Sequence, residues 1–291
     1  GTPAETMDRT MAAKTAGLEP EQVVIHTTYL GGGFGRRANP RSDFVTEAVQ
    51  VAKAIGKPVK VVWTREDDLR GGYYRPMWAD RIEAGIAEDG KPLAWKHTIV
   101  GQSIVADTPF EASMTKDGID ITSVEGAATL PYAIPNLQVE LHSPKNAVPV
   151  QWWRSVGHSH TAFVVETMID ELAHIAGKDP VAYRLDILPA ASRYRGVLQL
   201  AADKAAWGKK KLLADHAYGV AVHKSFNSYV AEIAEVSLEN GKIRVHRVVA
   251  AVDCGMVINP DGVRQQIESA IVYGLSAALH GAITLENGRV M

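Results

Sequence analysis

Residues 23–63 read VVIHTTYLGGGFGRRANPRSDFVTEAVQVAKAIGKPVKVVW and decide the fold prediction for this chain. β-Branched residues at 23–29 predict a strand, and residues 59–63 predict a second one. The helix between them is expected to start near Pro40, with Asn39 as its cap, and to end at Gly56. Its apolar stripe consists of Phe44, Ala48, Val49, Ala52 and Ile55. The stretch is therefore predicted to be strand, glycine loop, helix and strand.

The loop Gly31-Gly32-Gly33-Phe34-Gly35 has four glycines in five residues. Glycine tolerates positive φ and lets a ligand approach the backbone closely. N–H groups just ahead of a helix can hold an anion such as a phosphate, and Arg36 and Arg37 add positive charge. A tight strand-to-helix connection that binds nothing is the alternative interpretation.

Two familiar nucleotide motifs do not fit this loop. A dinucleotide fingerprint needs G-x-G-x-x-G and an acidic residue ending the next strand, but Trp63 and Thr64 stand there. A Walker loop needs Gly-Lys-Ser/Thr, which does not follow.

Sequence periodicity predicts helices alternating with hairpins on both sides of the loop. Asp89-Gly90, Asn240-Gly241 and Asn287-Gly288 are turn sequences of the hairpin kind. The predicted elements are a helix at 6–17, a hairpin of 81–87 and 93–100, three helices within 159–207, a hairpin of 230–238 and 242–250, a helix at about 263–280, and the start of a hairpin at 282–291.

The composition limits the classes of function. The chain has 291 residues, 46% hydrophobic and 22% charged, as expected for a globular protein. Its net charge of −2 gives no reason to expect nucleic acid as a partner, and no apolar run approaches the roughly 20 residues of a transmembrane segment. The one cysteine, Cys254, excludes an internal disulfide and a cysteine-ligated cluster, and is expected to be a small buried residue rather than a nucleophile.

A second candidate segment, residues 151–160, reads QWWRSVGHSH just before a predicted helix. Loops held by a rigid scaffold often carry function, and two tryptophans with an arginine are unusual in an idle one. His158 and His160 lack a third metal ligand at readable spacing, so helix capping or hydrogen bonding is favoured over a metal site.

A third segment runs from Asp253-Cys254-Gly255 to Gln266 and Glu268. Gln266 falls in the early turns of the predicted helix at 263–280. Its side-chain amide donates and accepts in one plane, so it can pair with the edge of a heterocycle. Alone, this glutamine would pass as a surface residue.

In this order, the three segments resemble the molybdopterin-binding large subunits of the xanthine dehydrogenase and aldehyde oxidase family. The likeness is strongest to the branch that contains the bacterial isoquinoline 1-oxidoreductases. The matching stretches are GGGFGRR at 31–37, WRSVGHSHTAF at 153–163, ETMIDELA at 166–173, GKDP at 177–180, DCG at 253–255, NP at 259–260 and QIE at 266–268.

The resemblance implies an α+β fold of two mixed sheet-and-helix lobes, of the molybdenum-cofactor-binding domain type, with the cofactor between them. The similar order of elements at the two ends of the chain is consistent with an internal duplication. The expected divisions are part of a first cofactor-binding lobe at 1–63, a β-rich segment at 64–150, an active-site loop with helices at 151–217, and a truncated second lobe at 218–291.

The resemblance also implies the chemistry. The expected activity is molybdenum-dependent hydroxylation of an N-heterocycle such as isoquinoline, with an aldehyde as the alternative substrate. The expected cofactor is molybdenum with molybdopterin cytosine dinucleotide, and electrons should leave through a separate small [2Fe–2S] subunit. A bacterial protein is implied, but neither periplasm nor cytoplasm is favoured.

By the same resemblance, loop backbone N–H groups and the Gln266 side chain should contact the cofactor, and the segment at Arg154 should shape the pocket around molybdenum. No residue of this chain is expected to ligate the metal. The cofactor-binding candidates are Gly32, Gly33, Phe34, Gly35, Arg36, Arg154, Ser155, Val156, Gly157 and Gln266.

The chain departs from the family pattern in three places. It has no Gly-x-Gly-Glu-Pro segment, so the catalytic glutamate is expected beyond Met291. A glutamine-bearing cofactor segment expected before Thr2 is missing, and Ser269 stands where the family has glycine. We therefore expect a fragment that is inactive alone and has lost most of its cofactor affinity.

Two functions from other classes remain open on the sequence alone. A nucleotide- or phosphate-binding module without redox chemistry would use only the glycine loop. A metal-dependent hydrolase would use His158 and His160 with zinc.

Overall fold

The protein is described by a computed structural model that covers residues 2–291. Its helices are α1 (Glu5–Ala16), α2 (Asp43–Ile55), α3 (Arg65–Arg70), α4 (Glu111–Met114), α5 (His158–Ile175), α6 (Pro180–Ile187), α7 (Arg193–Ala205) and α8 (Pro260–Leu279). Its strands are β1 (Trp78–Ile86), β2 (Pro92–Gly101), β3 (Thr115–Lys116), β4 (Ile119–Asp120), β5 (Asn136–His142), β6 (His216–Ser225), β7 (Ser228–Glu239), β8 (Lys242–Asp253), β9 (Leu285–Glu286) and β10 (Arg289–Val290).

Two three-stranded sheets organise the chain. In the first sheet, β2 pairs antiparallel with β1 and parallel with β5, whereas the second sheet, β6-β7-β8, is antiparallel throughout. The turn between β7 and β8 places Asn240 at φ 51° and Gly241 at φ 75°. Both residues are left-handed, as a two-residue hairpin turn of type I′ requires. The predicted hairpins at 81–100 and 230–250 are confirmed.

Capping residues mark the ends of several helices, although α8 begins at Pro260, about three residues before its predicted start. Asp179 caps α6, since its carboxylate accepts hydrogen bonds from the N–H groups of Val181 and Ala182. Asn259 caps α8 in the same way through the N–H of Gly262, and Gly17 ends α1 in the left-handed conformation. Local capping chemistry therefore sets these boundaries.

The main hydrophobic core lies where α5, α6 and α7 pack together with the second sheet, and it also includes the indole of Trp95 from β2. The core thus connects the two sheets. Its most deeply buried large side chains are Trp95, Ile169, Leu172, Tyr183, Leu198 and Ile233.

A buried ion pair joins the helices of this core to β6. The guanidinium of Arg184 in α6 is fully buried, and its Nε lies 3.0 Å from Glu166 Oε2 in α5. Glu166 also accepts hydrogen bonds from the Tyr132 hydroxyl at 2.6 Å and from the N–H of Val222 at 2.9 Å. Burial raises the pKa of Glu166, while the Arg184 charge opposes that shift. Every member of the network has a partner, which a buried ion pair needs.

The two strands predicted at 23–29 and 59–63 are wrong. Both segments are extended, but neither forms a ladder within residues 2–291, and the side chains of Val24 and Tyr29 are exposed. β Propensity describes a fit to a sheet, and a strand still needs a neighbour to bond with. The two segments instead line a cleft of about 840 Å³ together with one face of α2.

The helix α2 starts three residues later than predicted. Asn39 does not cap it, because its Oδ1 accepts from the N–H of Arg41 in a turn that precedes the helix. Ser42 then takes a left-handed conformation with φ 48°, and Asp43 is the first helical residue. The predicted end at Gly56 is confirmed, but Ile55 of the predicted apolar stripe is exposed.

The mixture of helices with two three-stranded sheets and two short two-stranded ones confirms the predicted α+β class. The helices pack on the two larger sheets, α5 on the first and α7 on the second. Among residues 2–291, we find no helix of the length and apolarity needed to cross a bilayer.

Candidate functional site

The glycine loop adopts an irregular turn that uses its glycines. Gly32 has φ 133° and Gly35 has φ 88°, and Phe34 between them is also left-handed with φ 51°. Within residues 2–291, the backbone N–H groups of Gly33, Phe34 and Gly35 donate to no protein atom. These three donors are therefore available to a ligand.

The loop packs directly against the second candidate segment. The N–H of Arg154 donates to the carbonyl oxygen of Phe34 at 2.9 Å. A Cβ atom at Gly35 would lie 3.0 Å from the Trp153 Cα and 3.1 Å from the Trp152 carbonyl oxygen. Only glycine fits at Gly35 without a shift of this backbone, so the loop and the segment at 151–157 form one surface.

The segment after Trp153 stores backbone strain. Ser155 has φ 71° and Val156 has φ 47°, a conformation that is costly for a β-branched residue. At Gly157, a Cβ atom would come within 1.7 Å of the Thr122 carbonyl oxygen. Such strain persists only where the surrounding structure enforces it, and it is concentrated at functional sites.

The side chain of Arg154 connects this surface to the third candidate segment, α8. Its Nη2 donates to the backbone carbonyl oxygen of Gln266 at 2.9 Å and to Gln266 Oε1 at 3.3 Å. Its Nη1 donates to Ser269 Oγ at 3.0 Å. One turn further along α8, the ring of Tyr273 stacks on Phe34 with centroids 5.6 Å apart and planes 4° apart. We call these five residues (Phe34, Arg154, Gln266, Ser269 and Tyr273) the junction.

The positive charge of Arg36, directly after the loop, is paired with the carboxylate of Asp43. The two terminal nitrogens of Arg36 contact the Asp43 carboxylate at 3.2 and 2.5 Å, and its guanidinium lies 5.5 Å from the Tyr73 ring. The guanidinium of Arg37 lies over the ring of Phe44, 4.0 Å from its centre. Positive charge in the loop thus stabilises the start of α2 in addition to any effect on a ligand.

Two further residues belong to this region but were missed by sequence reasoning. Arg75 donates to the carbonyl oxygen of Arg154 at 3.1 Å, contacts Ser159 Oγ, and lies 3.4 Å from the Tyr273 hydroxyl. Tyr273 supplies the ring that covers Phe34. Neither residue lies in a recognisable motif, and only the tertiary fold brings them to the junction.

The two histidines of the second segment point to different neighbours. Nδ1 of His158 lies 2.8 Å from Nε2 of His223 in β6. Nε2 of His158 lies 3.9 Å from Oε2 of Glu125. His160 is stacked on the Trp78 ring with centroids 4.1 Å apart. Burial is the main cause that lowers the pKa of His158, and it lowers those of His160 and His223 to about 4.

These depressed values predict a pH dependence of stability. The unfolded chain takes up protons near pH 6.5, whereas folded His160 and His223 do so only near pH 4. The unfolded state therefore binds more protons between these values, and each such histidine lowers stability by up to about 1.4 kcal/mol per pH unit as the pH falls. Urea unfolding at pH 7.5, 6.5, 5.5 and 5.0 measures this.

The matched variants are His223→Gln and His280→Gln, the second at an exposed position on the end of α8. In His223→Gln, we expect the free energy of unfolding to decrease less as the pH falls than it does in the unmodified chain. In His280→Gln, we expect the same decrease as in the unmodified chain. Identical pH profiles for the chain and His223→Gln would show that His223 titrates normally.

Cys254 is half-buried, directly after β8. In residues 2–291, no group of three or more histidine, cysteine, aspartate or glutamate side chains is placed to hold a metal ion.

Comparison with known families gives two matches. A family described as Molybdopterin cofactor-binding domain matches residues 2–187, and a second with the same description matches residues 161–291. The matches cover the glycine loop, the segment at 151–157 and α8.

Among curated relatives, the beta subunit of the isoquinoline 1-oxidoreductase of Brevundimonas diminuta is 33% identical over 99% of this chain and 37% of its own length. A nicotinate dehydrogenase subunit of Pseudomonas putida is 27% identical over 89% of this chain and 23% of its own length. The chain thus spans well under half the length of these relatives.

Among solved structures, quinoline 2-oxidoreductase from Pseudomonas putida 86 matches with a TM-score of 0.63 at 19% identity, over 84% of this chain and 35% of that chain. The aldehyde oxidoreductase from Desulfovibrio gigas matches with a TM-score of 0.58 at 23% identity, over 84% and 29%. At this identity, the likeness concerns the fold.

Proposed function

Because this chain belongs to the family of molybdopterin cofactor-binding domains, we propose that it forms one wall of the cofactor site in a molybdenum-dependent hydroxylase. The observation that carries the proposal is the junction. Phe34, Arg154 and Gln266 come from three segments far apart in the sequence and meet through direct hydrogen bonds. These are the segments selected from the sequence as cofactor-contacting.

The backbone of the loop offers hydrogen-bond donors that fit an anionic group. Gly33, Phe34 and Gly35 offer three N–H groups that have no partner within residues 2–291, and such donors suit phosphate or pterin oxygen atoms. The close contact of Gly35 with Trp153 leaves no room for a side chain on the loop at that point. Glycine at this position therefore allows the loop backbone to lie directly against the segment at 151–157.

The proposal gives parts to two junction residues, Arg154 and Gln266, and to the segment at 155–157. Arg154 fixes the loop to α8 and engages Gln266 Oε1, which leaves the Nε2 hydrogens of Gln266 to donate to the cofactor. Ser155, Val156 and Gly157 shape the pocket through their enforced backbone conformation. When bound, the cofactor supplies the oxidation, in which water provides the oxygen for C–OH in place of C–H, with release of two electrons and two protons.

We further propose an N-heterocycle such as isoquinoline as substrate, with an aldehyde as the alternative. The names of the relatives support this choice, since they include isoquinoline, nicotinate and aldehyde oxidoreductases. The cofactor would be the cytosine dinucleotide form, and the electrons would pass to a small [2Fe–2S] subunit, in keeping with the single cysteine of this chain.

Two parts of the proposal follow from the sequence pattern. No Gly-x-Gly-Glu-Pro segment occurs in the 291 residues, so no catalytic base is assigned to them. We also propose, from the sequence pattern alone, that the chain divides into four parts with boundaries at residues 63, 150 and 217.

The two rival functions have less support. A zinc hydrolase would need His158 and His160 to face one ion, but His158 is bonded to His223 and His160 is stacked on Trp78. A module that binds only a nucleotide or phosphate would use the glycine loop and would not need the contacts of Arg154 with α8.

The proposal is tested by measuring three components of the purified protein in its natural, cofactor-loaded form. These are molybdenum, pterin and cytidine monophosphate. We expect one equivalent of each per chain, with the pterin and nucleotide released together by acid. A nucleotide bound without molybdenum or pterin in the natural protein would support the non-redox module and contradict the proposal.

A further inference from the structure

A second cleft, of about 500 Å³, opens beside the start of α5 and the turn between β6 and β7. This volume lies in the range of small-molecule sites. None of the residues that line it belongs to the junction. The lining consists of Glu125, Gly126, Thr129, Pro131, His158, Tyr194, His223, Lys224, Phe226, Asn227 and Tyr229. We call it the histidine cleft.

Aromatic rings form much of the wall of the histidine cleft. Tyr194 and Tyr229 pack edge to face with ring centroids 4.8 Å apart, and Phe226 packs edge to face with His158 at 6.3 Å. Burial raises the pKa of Tyr194 to about 12, so this side chain is uncharged at neutral pH. Phe226 is mostly exposed, at the tip of the turn between β6 and β7. Such a wall suits a planar ring.

One cation in this cleft has no acidic partner. Lys224 is half-buried, and no carboxylate among residues 2–291 lies within ion-pair distance of its ammonium group, which is 5.8 Å from the Tyr229 ring. Arg193 lies over the same ring at 4.3 Å, but the Asp253 carboxylate neutralises it at 2.5 Å. The ammonium of Lys224 is therefore the positive charge available to a ligand in this cleft.

Among the described residues that line the cleft, Glu125 is the one with a carboxylate, and its contacts lie on the side of α5. Glu125 Oε2 accepts from the N–H of Gly157 at 3.2 Å and lies 3.9 Å from His158 Nε2. His158 in turn uses its Nδ1 to contact His223 Nε2. Glu125 is thus held on the α5 side of the cleft by Gly157 and His158, and it makes no ion pair with Lys224.

From this arrangement we propose that the histidine cleft binds a small aromatic carboxylate. The ring of the ligand would pack among Tyr194, Tyr229 and Phe226, and its carboxylate would pair with the ammonium of Lys224. An ion pair next to an aromatic wall is less screened than one at an open surface. None of the lining residues belongs to the junction, so the proposal stands whether or not the chain carries molybdenum.

Benzoate titrated into the chain and followed by calorimetry tests the site. We expect saturable binding of one benzoate per chain with submillimolar affinity. Lys224→Met should weaken binding at least tenfold, while Lys224→Arg should largely retain it. The matched control is Lys211→Met, which removes the same charge at an exposed position outside the cleft. Thermal unfolding of each variant establishes that it is folded.

Two comparisons define the chemistry of the ligand. Acetate should bind at least tenfold more weakly than benzoate, because it lacks a ring to pack on the aromatic wall. Absence of saturable benzoate binding overturns the proposal, as does equal binding to the chain and to Lys224→Met. Equal affinity for acetate and benzoate would reduce the site to one for any carboxylate and would contradict the aromatic part.

Discussion

Replacement of Arg184 by methionine is expected to lower the free energy of unfolding by about 3–5 kcal/mol, the cost of removing one partner of a buried ion pair. The guanidinium is fully buried and holds Glu166 at 3.0 Å and Asp170 at 2.5 Å. Methionine fills part of the volume but leaves the Glu166 carboxylate buried without its counter-charge. Urea unfolding measures the loss as a shift of the midpoint at unchanged slope.

Two variants separate this effect from a loss of packing. Glu166→Gln combined with Arg184→Met removes both charges and should recover part of the stability, because no lone ion remains buried. Arg244→Met breaks a surface pair with Glu239 and should cost less than about 1 kcal/mol. If Arg184→Met lowers the free energy of unfolding by less than about 1 kcal/mol, the role given to this ion pair is refuted.

Replacement of Gly35 by alanine is expected to reduce molybdenum and pterin content at least tenfold in the cofactor-loaded protein. A Cβ at this position lies 3.0 Å from the Trp153 backbone, and the φ of 88° is unfavourable for any residue with a side chain. Both effects move the loop, and with it the N–H groups of Gly33, Phe34 and Gly35.

Gly31→Ala is the matched control in the same loop. A Cβ at Gly31 meets no atom within 4 Å, and its φ is not in the left-handed region. We expect Gly31→Ala to keep its cofactor and Gly35→Ala to lose it while both unfold at similar temperatures. Equal cofactor content in the two variants would mean that the loop is only a connection between segments.

The sequence predicts those parts of the fold that local chemistry determines. The Asn240-Gly241 turn and the Gly56 stop each act within a few residues, and both are found where predicted. The caps at Asp179 and Asn259 are equally local. The family resemblance, which draws on three separate motifs, is likewise confirmed.

Other features depend on contacts that no local pattern encodes. Residues 23–29 have strand propensity, but they pair with no other strand within residues 2–291, so the predicted strand does not form. The ring of Tyr273 meets Phe34, and His223 meets His158, only because α8 and β6 are folded against distant segments. The pairing of Arg36 with Asp43 was also not predicted, although the two are seven residues apart.

The most direct test of the proposed cofactor wall is an experimental structure of the protein with its molybdenum cofactor bound. We expect cofactor oxygen atoms within about 3.2 Å of the backbone nitrogens of Gly33, Phe34 or Gly35, and a cofactor acceptor atom at the same distance from Gln266 Nε2. A bound cofactor with no atom in hydrogen-bond reach of the glycine loop or Gln266 would contradict the assignment of this wall.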